Sequence, residues 1–171
     1  MDYKASLDTL CKAITAGVFV IFIAIGQKSF KTIISANNDL TTILIHGGVL
    51  LSFIAIIAIS YLFSTKKYTV TTEKLIIHCP ISDRVIKTAD ITKIRTVDSI
   101  DFSKTIRTFG NGGLFGYYGK FYNSKIGNMT WYVTQKKNNI LIRTQQGDKI
   151  MISPDDISLI DKVQTGRKPK L

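Results

Sequence analysis

Two long apolar segments occupy the first third of the chain. Twenty-six residues without a charge run from Leu40 to Thr65, and about 20 apolar residues in a helix suffice to cross the hydrocarbon core of a bilayer. Only 15 uncharged residues separate Lys12 from Lys28, but this first segment can span if both lysines extend toward water. No small-residue cleavage site follows it, which favours a retained helix over a signal peptide. We therefore predict a transmembrane helical hairpin over residues 1–65, with spans at about 10–27 and 40–64.

The distribution of lysines around the hairpin predicts its orientation, because lysines concentrate on the cytoplasmic side of membrane proteins. Only Lys28 and Lys31 occupy the turn between the helices, whereas the outer ends are flanked by Lys4, Lys12, Lys66, Lys67 and Lys74. We therefore predict an integral protein of the inner (cytoplasmic) membrane with both termini in the cytoplasm. Basic and aromatic side chains favour the membrane interface. The predicted membrane anchors are Lys12, Tyr61, Lys66 and Lys67.

From Lys66 onward, polar and apolar residues alternate with the period of a β-strand. In KLIIHC, Leu75 and Ile77 point one way and Ile76 the other, and MTWYVTQ and NILIRTQ alternate in the same manner. RVIKTADITKIRTVD predicts two strands interrupted near residues 88–90. Turn-like residues at 137–139 and 146–148 separate the later strands. We predict a meandering antiparallel sheet in a domain over residues 66–165, followed by a basic tail over 166–171.

One amphipathic helix is predicted at the end of this domain. Ser153 is a suitable N-cap, Pro154 fits the first helical position, and the two aspartates that follow suit the positive end of the helix dipole. Ile157, Ile160 and Val163 recur every three residues, which predicts one buried face.

A glycine-rich and aromatic segment, RTFGNGGLFGYYGKFYNSKIG, spans residues 107–127. It fails as a Walker A phosphate loop, because the first glycine of that pattern would fall at Leu114 and Phe121 replaces the hydroxyl that binds magnesium. An extended strand with bulges or bends at its glycines is the better interpretation. Such a strand has two sides, with Phe115, Tyr117 and Phe121 on one and Leu114, Tyr118 and Tyr122 on the other.

The positive charge lies almost entirely in the predicted β domain. The whole chain carries +11, and residues 66–171 hold 19 Lys/Arg against nine Asp/Glu, which leaves +10 there. Basic residues close to an anionic leaflet contribute roughly 1 kcal/mol each to membrane binding. Solubility and the positive-inside bias explain the same charge equally well. The candidate binding surface comprises Lys104, Arg107, Tyr118, Lys120, Tyr122 and Lys125. Nucleic acid is not expected as a partner, because no RNP-like or helix-turn-helix pattern accompanies the charge.

No catalytic residue, metal site or cofactor is predicted. Cys11 and Cys79 are isolated thiols without a CxxC pair or a neighbouring histidine pair. His78 alternates with apolar neighbours on a predicted strand, where a satisfied or exposed side chain is the simpler interpretation. Asp155 and Asp156 are better explained by helix capping than by an acid pair.

Six to eight strands closed by one C-terminal helix form a known architectural plan. The segments YTVTTEKLIIH, DITKIRTVD, RTFGNGGLFGYYGKFYNSKIGNMTWYVTQ and ILIRTQQGDKIMISPDDISLIDKV resemble, in that order, a bacterial pleckstrin-homology-like (PH-like) family whose members often carry two N-terminal membrane helices. The resemblance covers roughly residues 66–165. It implies a mainly β domain with α structure: a β-sandwich or barrel of two orthogonal sheets capped by one C-terminal helix and tethered to the membrane. A superfold of this kind does not fix a biochemical activity.

These observations predict a non-enzymatic, membrane-anchored PH-like module at the cytoplasmic face that contacts a protein partner or anionic lipid. The alternative is a structural subunit of a membrane complex or homo-oligomer that assembles through the hairpin, where Gly48 and Ser52 form a small-residue pair. An enzyme with an unrecognised site is the third hypothesis.

Overall fold

The computed structural model describes residues 1–37, 39–97 and 105–167. One short strand precedes two long helices, nine strands follow these helices in the described part of the chain, and a short helix comes after the last strand. The elements in chain order are β1 (Asp2–Lys4), α1 (Thr9–Ile34), α2 (Leu40–Leu62), β2 (Lys67–Val70), β3 (Lys74–His78), β4 (Arg84–Lys87), a 3₁₀ turn (Thr88–Asp90), β5 (Ile91–Thr96), β6 (Thr105–Gly112), β7 (Tyr117–Asn123), β8 (Gly127–Val133), β9 (Ile140–Thr144), β10 (Lys149–Ile152) and α3 (Leu159–Arg167).

The two apolar helices form a hairpin in which Phe22 stacks on Phe53 with ring centroids 4.1 Å apart. Asp8 caps α1 by accepting the N–H of Cys11 at 2.7 Å. Asp39 caps α2 by accepting the N–H groups of Thr41 and Thr42. α1 continues beyond the predicted span, through most of the segment expected to be a turn. No proline or glycine interrupts residues 28–34, so nothing in the sequence stops the helix there.

The first sheet has the strand order β1-β2-β3-β4. Its edge strand β1 was not predicted. β1 pairs antiparallel with β2, placing Asp2 opposite Thr69 and Tyr3 opposite Tyr68, and Tyr3 is buried. The residues before α1 are therefore part of the same sheet as the residues after α2. The predicted break near 88–90 is confirmed by the 3₁₀ turn between β4 and β5.

The second sheet has the order β5-β9-β10-β8-β7-β6, and it departs from the antiparallel meander predicted from the sequence. β10 lies between β9 and β8 and runs parallel to β8, with Met151 opposite Trp131. The turn at 137–139 therefore connects two strands that are not neighbours. Ile140, Leu141 and Ile142 are all buried, because an interior strand covered on both faces has no polar side.

Two apolar clusters cover the two faces of the second sheet. The inter-sheet core joins residues of the first sheet, such as Leu75 and Ile77, to Ile150 and Ile152 of β10. The helix-side core lies on the opposite face, where Met151 packs with the residues near the start of α1. The predicted alternation in β3 is thus confirmed, and in β10 it sends successive side chains into different cores.

α3 begins at Leu159 rather than at the predicted N-cap, Ser153. The hydroxyl of Ser153 is fully buried and accepts the N–H of Thr134 at 2.9 Å. Asp156 instead accepts the N–H of Ser158 at 2.9 Å, just before the helix. Because the hydroxyl of Ser153 already accepts a backbone N–H beyond the end of β8, it is not available to cap a helix.

The short helix closes one end of the inter-sheet core. Leu159 and Val163 are completely buried in that core, which confirms the predicted plug. Ile157 is exposed, contrary to its predicted place on the buried face, because it precedes the helix and does not share its period. Of the predicted tail 166–171, the first two residues belong to α3, and the remainder lies outside the described residues.

Candidate functional site

The glycine-rich segment forms two strands, β6 and β7, joined by a turn at residues 113–116, and not one extended strand. We call β6, the turn and β7 the glycine hairpin. The side-chain oxygen of Asn111 accepts the N–H groups of Gly113 and Leu114 at 3.1 and 2.9 Å, which stabilises the reversal. Phe115 has a φ of 58°. The left-handed conformation of a large residue marks a turn held by its surroundings.

Two facing glycines let the strands of the hairpin approach closely. Gly110 lies directly opposite Gly119, and a Cβ atom on Gly119 would lie 2.7 Å from the Cα of Gly110. The register also shifts between Arg107 and Phe109. This bulge at Thr108 turns the side chain of Phe109 to the face opposite that of Arg107.

The tip of the glycine hairpin is bonded to the start of α1. The thiol of Cys11, completely buried, donates to the carbonyl of Gly113 at 2.8 Å. The N–H of Phe115 donates to the hydroxyl of Thr15 at 3.1 Å. The backbone groups of Gly113 and Phe115 therefore satisfy polar side chains on the first turns of the helix.

The same hairpin is bonded to the end of α2. The hydroxyl of Tyr118 donates to the carbonyl of Ser60 at 2.7 Å, and the amide of Asn111 donates to that hydroxyl at 3.0 Å and to the side chain of Ser60 at 3.3 Å. Burial raises the pKa of Tyr118 above its usual value. The phenol therefore stays protonated and keeps donating to the helix carbonyl.

An aromatic cluster completes the contact between the hairpin and both helices. The ring of Phe115 lies edge-on between Phe19 of α1, at 6.2 Å, and Tyr61 of α2, at 5.8 Å. Edge-to-face pairs at such distances contribute roughly 0.5–1.5 kcal/mol beyond their buried area. We call the contacts of the hairpin with α1 and α2 the helix junction.

The predicted binding surface is divided by the fold. Tyr118, Lys120 and Tyr122 share one face of β7, and the ammonium of Lys120 donates to Thr130 at 2.8 Å. Arg107 pairs with Phe121 and lies on the opposite face. Lys125 is exposed in the turn between β7 and β8, and Lys104 lies outside the described residues.

The predicted membrane anchors lie around the outer ends of the helices. The ammonium of Lys66 sits 3.9 Å above the ring of Tyr61, a cation–π contact. Lys67 pairs with Asp2 across the first sheet at 2.8 Å. Lys12 is exposed in the first turns of α1.

A groove of about 490 Å³ lies between the end of α2 and the glycine hairpin. The first sheet and α3 pack mainly on β5, β9 and β10, with Tyr132 of β8 at the edge of that core. Tyr118, Lys120 and Tyr132 line the groove from the second sheet, and Ile59 and Phe63 line it from the end of α2.

The polar groups of the helix junction were not predicted from the sequence. Cys11 was interpreted only as an isolated thiol, Thr15 and Ser60 only as members of apolar segments, and Asn111 only as part of a glycine run. Asn111 carried a usable signal, because Asn before two glycines is typical of a turn held by its side chain. The helix residues carried none, since single polar residues are common near the ends of apolar helices.

His78 and Cys79, the histidine and the cysteine of the domain, lie in structural environments. His78 lies between the hydroxyl of Thr69, at 2.9 Å, and the carboxylate of Asp83, at 2.8 Å. Burial raises the pKa of the Cys79 thiol, which disfavours the reactive thiolate. Across residues 1–37, 39–97 and 105–167, no group of three or more His, Cys, Asp or Glu is placed to hold a metal ion.

The geometry agrees with the comparison to known families. The model of the bacterial PH domain family matches residues 66–165. This region contains strands β2 to β10, which include the glycine hairpin, and it also contains the start of α3. No curated protein and no solved structure matches the chain. PH domains are typically binding modules rather than catalysts. Since the family model covers more than half of its residues, this chain belongs to the bacterial PH domain family.

Proposed function

We propose that the protein is a membrane-anchored binding module in which α1 and α2 span the inner membrane and hold the PH-like domain against its cytoplasmic face. Both helices are long and apolar enough to span, with mean hydropathies of 2.1 and 2.4 over their most apolar windows. Those windows are only 6% and 0% buried within the chain. A core helix of a water-soluble protein would be mostly buried, so lipid is the environment that suits these surfaces.

The N-terminal strand supports retention of α1 in the mature protein. Removal of the first helix as a signal sequence would also remove β1, whose Tyr3 is buried in the inter-sheet core. It would further remove Cys11 from the helix-side core. A segment that completes the folded domain is not suited to cleavage.

The strand β1 also constrains the topology of the helical hairpin formed by α1 and α2. β1 precedes α1 and β2 follows α2, yet they are neighbours in one sheet. If both helices span, the two outer ends of the hairpin must lie on the same side of the membrane. The excess of lysines at those ends favours the cytoplasm for that side.

The helix junction is the observation that carries the proposal. The glycine hairpin binds both helices through Gly113, Phe115 and Tyr118, and Ile81 donates a further backbone bond to Leu62 at 3.0 Å. A domain on a flexible tether would sample many orientations, whereas these contacts fix one. The domain would therefore present a constant surface to the leaflet.

A disulfide across the junction tests this arrangement in native membranes. The Nδ2 atom of Asn111 lies 3.3 Å from the Oγ atom of Ser60, so the double variant Ser60→Cys, Asn111→Cys brings two thiols into proximity and is expected to form a cross-link under mild oxidation. Mass spectrometry of the digested protein would detect the linked peptides. The matched control pairs Ser60→Cys with Tyr122→Cys, which lies four residues, or roughly 13 Å, along β7 from Tyr118. Equal cross-linking of both pairs would show a mobile domain and contradict the proposal.

Labelling by a membrane-impermeant maleimide tests the topology. In a Cys79→Ser background, Ala36→Cys in the turn of the hairpin is expected to react in intact spheroplasts. Lys137→Cys, exposed on the domain, should react only after the membrane is permeabilised. Labelling of residue 137 in intact spheroplasts would refute the cytoplasmic placement.

A further inference from the structure

We propose that the groove between α2 and the glycine hairpin holds one anionic glycerophospholipid of the inner leaflet. The inference rests on the proposed function, because it requires the end of α2 to lie at the cytoplasmic surface of the membrane. It adds to that function a defined site, a ligand class and a stoichiometry.

One wall of the groove suits an acyl chain. Ile59 and Phe63 line it from the last turns of α2, and Phe109 lines it from β6. Phe109 is 76% exposed, and with the exposed Ile59 and Phe63 it forms an apolar patch, the kind of surface that marks a membrane or partner contact. An acyl chain that extends from the hydrocarbon core along α2 would cover all three side chains, and burial of their apolar surface would favour this contact.

The other end of the groove suits a phosphate. Lys120 lines both the groove and an adjoining polar hollow of about 180 Å³. Its ammonium donates to Thr130, which leaves two donors for a ligand. Among the described residues it has no carboxylate partner, whereas the nearby Arg84 is paired with Asp148 at 3.0 Å.

The spacing along β7 between the helix contact at Tyr118 and Lys120 is comparable to the thickness of a head-group layer. Lys120 lies two residues, roughly 7 Å, along β7 from Tyr118, whose hydroxyl is bonded to α2. The polar region of a leaflet is about 5–8 Å thick on each side of the hydrocarbon core. The backbone of Lys120 therefore lies within roughly one head-group thickness of the residue that contacts the end of α2.

Lipid fits this groove better than a peptide does. One wall is the terminal part of an apolar helix, so in the membrane it faces acyl chains before any partner arrives. The domain carries most of the chain's positive charge, which favours an anionic head group over a zwitterionic one. A peptide segment would have to displace lipid from the helix end.

Photocrosslinking from the exposed ring tests the occupant. In the full-length protein, p-benzoylphenylalanine replaces Phe109. This protein is reconstituted in vesicles that contain phosphatidylglycerol and phosphatidylethanolamine in equal amounts. After irradiation, its mass is measured by mass spectrometry. We expect one phospholipid adduct per chain, with phosphatidylglycerol favoured about fivefold, the ratio that corresponds to roughly 1 kcal/mol. The same probe at Ile157, exposed on the domain before α3, should give no lipid adduct.

A charge variant tests the role of the lysine. Lys120→Gln in the photoprobe protein should lower the preference for phosphatidylglycerol to near one while the total yield of lipid adduct persists. Lys93→Gln removes the same charge from β5, at the opposite edge of the second sheet, and should leave the preference unchanged. An equal loss in both variants would mean general electrostatics and would overturn the site.

The remaining outcomes separate the inference from the function on which it rests. Adducts to a second polypeptide, or no lipid adduct at residue 109, overturn the lipid site. If the disulfide between positions 60 and 111 still forms, the docked module stands without the lipid. If that disulfide fails as well, the groove has lost its helical wall and both proposals fall.

Discussion

Replacing Gly119 with alanine is expected to lower the thermal unfolding midpoint of the full-length protein by about 10 °C or more. Gly119 has a φ of +118°, a conformation that costs a residue with a side chain roughly 1–3 kcal/mol. The new methyl group would also lie 2.7 Å from the Cα of Gly110, and overpacking of this kind typically costs about 1–3 kcal/mol more. Each kcal/mol shifts the midpoint of a domain of this size by about 4–8 °C.

The obstruction at Gly119 cannot be relieved by a side-chain rotation, because the atoms in the way belong to the backbone of β6. The strands must separate locally, and the separation moves the hairpin tip that Cys11 and Ser60 contact. We therefore expect Gly119→Ala to reduce cross-linking between positions 60 and 111 when it is combined with Ser60→Cys and Asn111→Cys. Fluorescence of Trp131, which stacks on Phe121 of β7 at 4.0 Å, reports the unfolding of the same strand.

Gly147→Ala is the matched control for this prediction. Gly147 also has a positive φ, of +86°, but its Cβ would meet nothing within 4 Å. The control carries the conformational cost alone and is expected to lower the midpoint by only about 4–8 °C, for a cost of roughly 1 kcal/mol. Equal midpoints for the two variants would show that the close approach of β6 and β7 contributes nothing.

The sequence predicted local structure well where the signal was periodic. Leu75 and Ile77 alternate with Ile76 in the manner of a half-buried strand, and that pattern needs no knowledge of the remaining fold. The length and apolar composition of α2 likewise need no partner to be understood. The family resemblance depended instead on the glycine-rich segment followed by the sequence ISPDD, and the family match confirms that resemblance.

What the sequence could not predict depends on contacts between distant residues. Ser153 has the side chain of an N-cap, but the fold uses it to satisfy Thr134 on another strand. The parallel pairing of β10 with β8 depends on which strands are covered on both faces, a property of the assembled cores. For the same reason the glycine hairpin was recognised as β structure while its role, binding both helices, was not.

Deleting the N-terminal 65 residues is expected to leave the family-matched domain without a stable fold. Residues 66–171 alone would lose Tyr3 from the inter-sheet core and Cys11 from the helix-side core. Truncating one large buried side chain costs about 3–5 kcal/mol, against a total stability of about 5–15 kcal/mol for a typical domain. We expect that far-UV circular dichroism of this fragment, measured as urea is added, will show no cooperative unfolding transition.

A chimera separates the contribution of β1 from that of the helices. Residues 1–8 joined to residues 66–171 by a flexible Gly/Ser linker restore the pairing of β1 with β2. They also restore the bonds from Ser6 to Asp155, at 2.6 and 2.9 Å, and from the N–H of Asp8 to Thr134, at 3.1 Å. We expect this chimera to unfold cooperatively, and the chimera with Tyr3→Ala to be less stable by about 3–5 kcal/mol.

The comparison of fragment and chimera bears directly on how the anchor and the domain are related. A fragment as stable as the chimera would mean that β1 is a dispensable addition and that the hairpin is only a tether. If the chimera is stable and the fragment is not, the folded domain requires β1, a strand that two apolar helices separate from the rest of the domain in sequence. The domain would then complete its first sheet only when both ends of the hairpin lie together on one side of the membrane, so folding itself would require the hairpin topology.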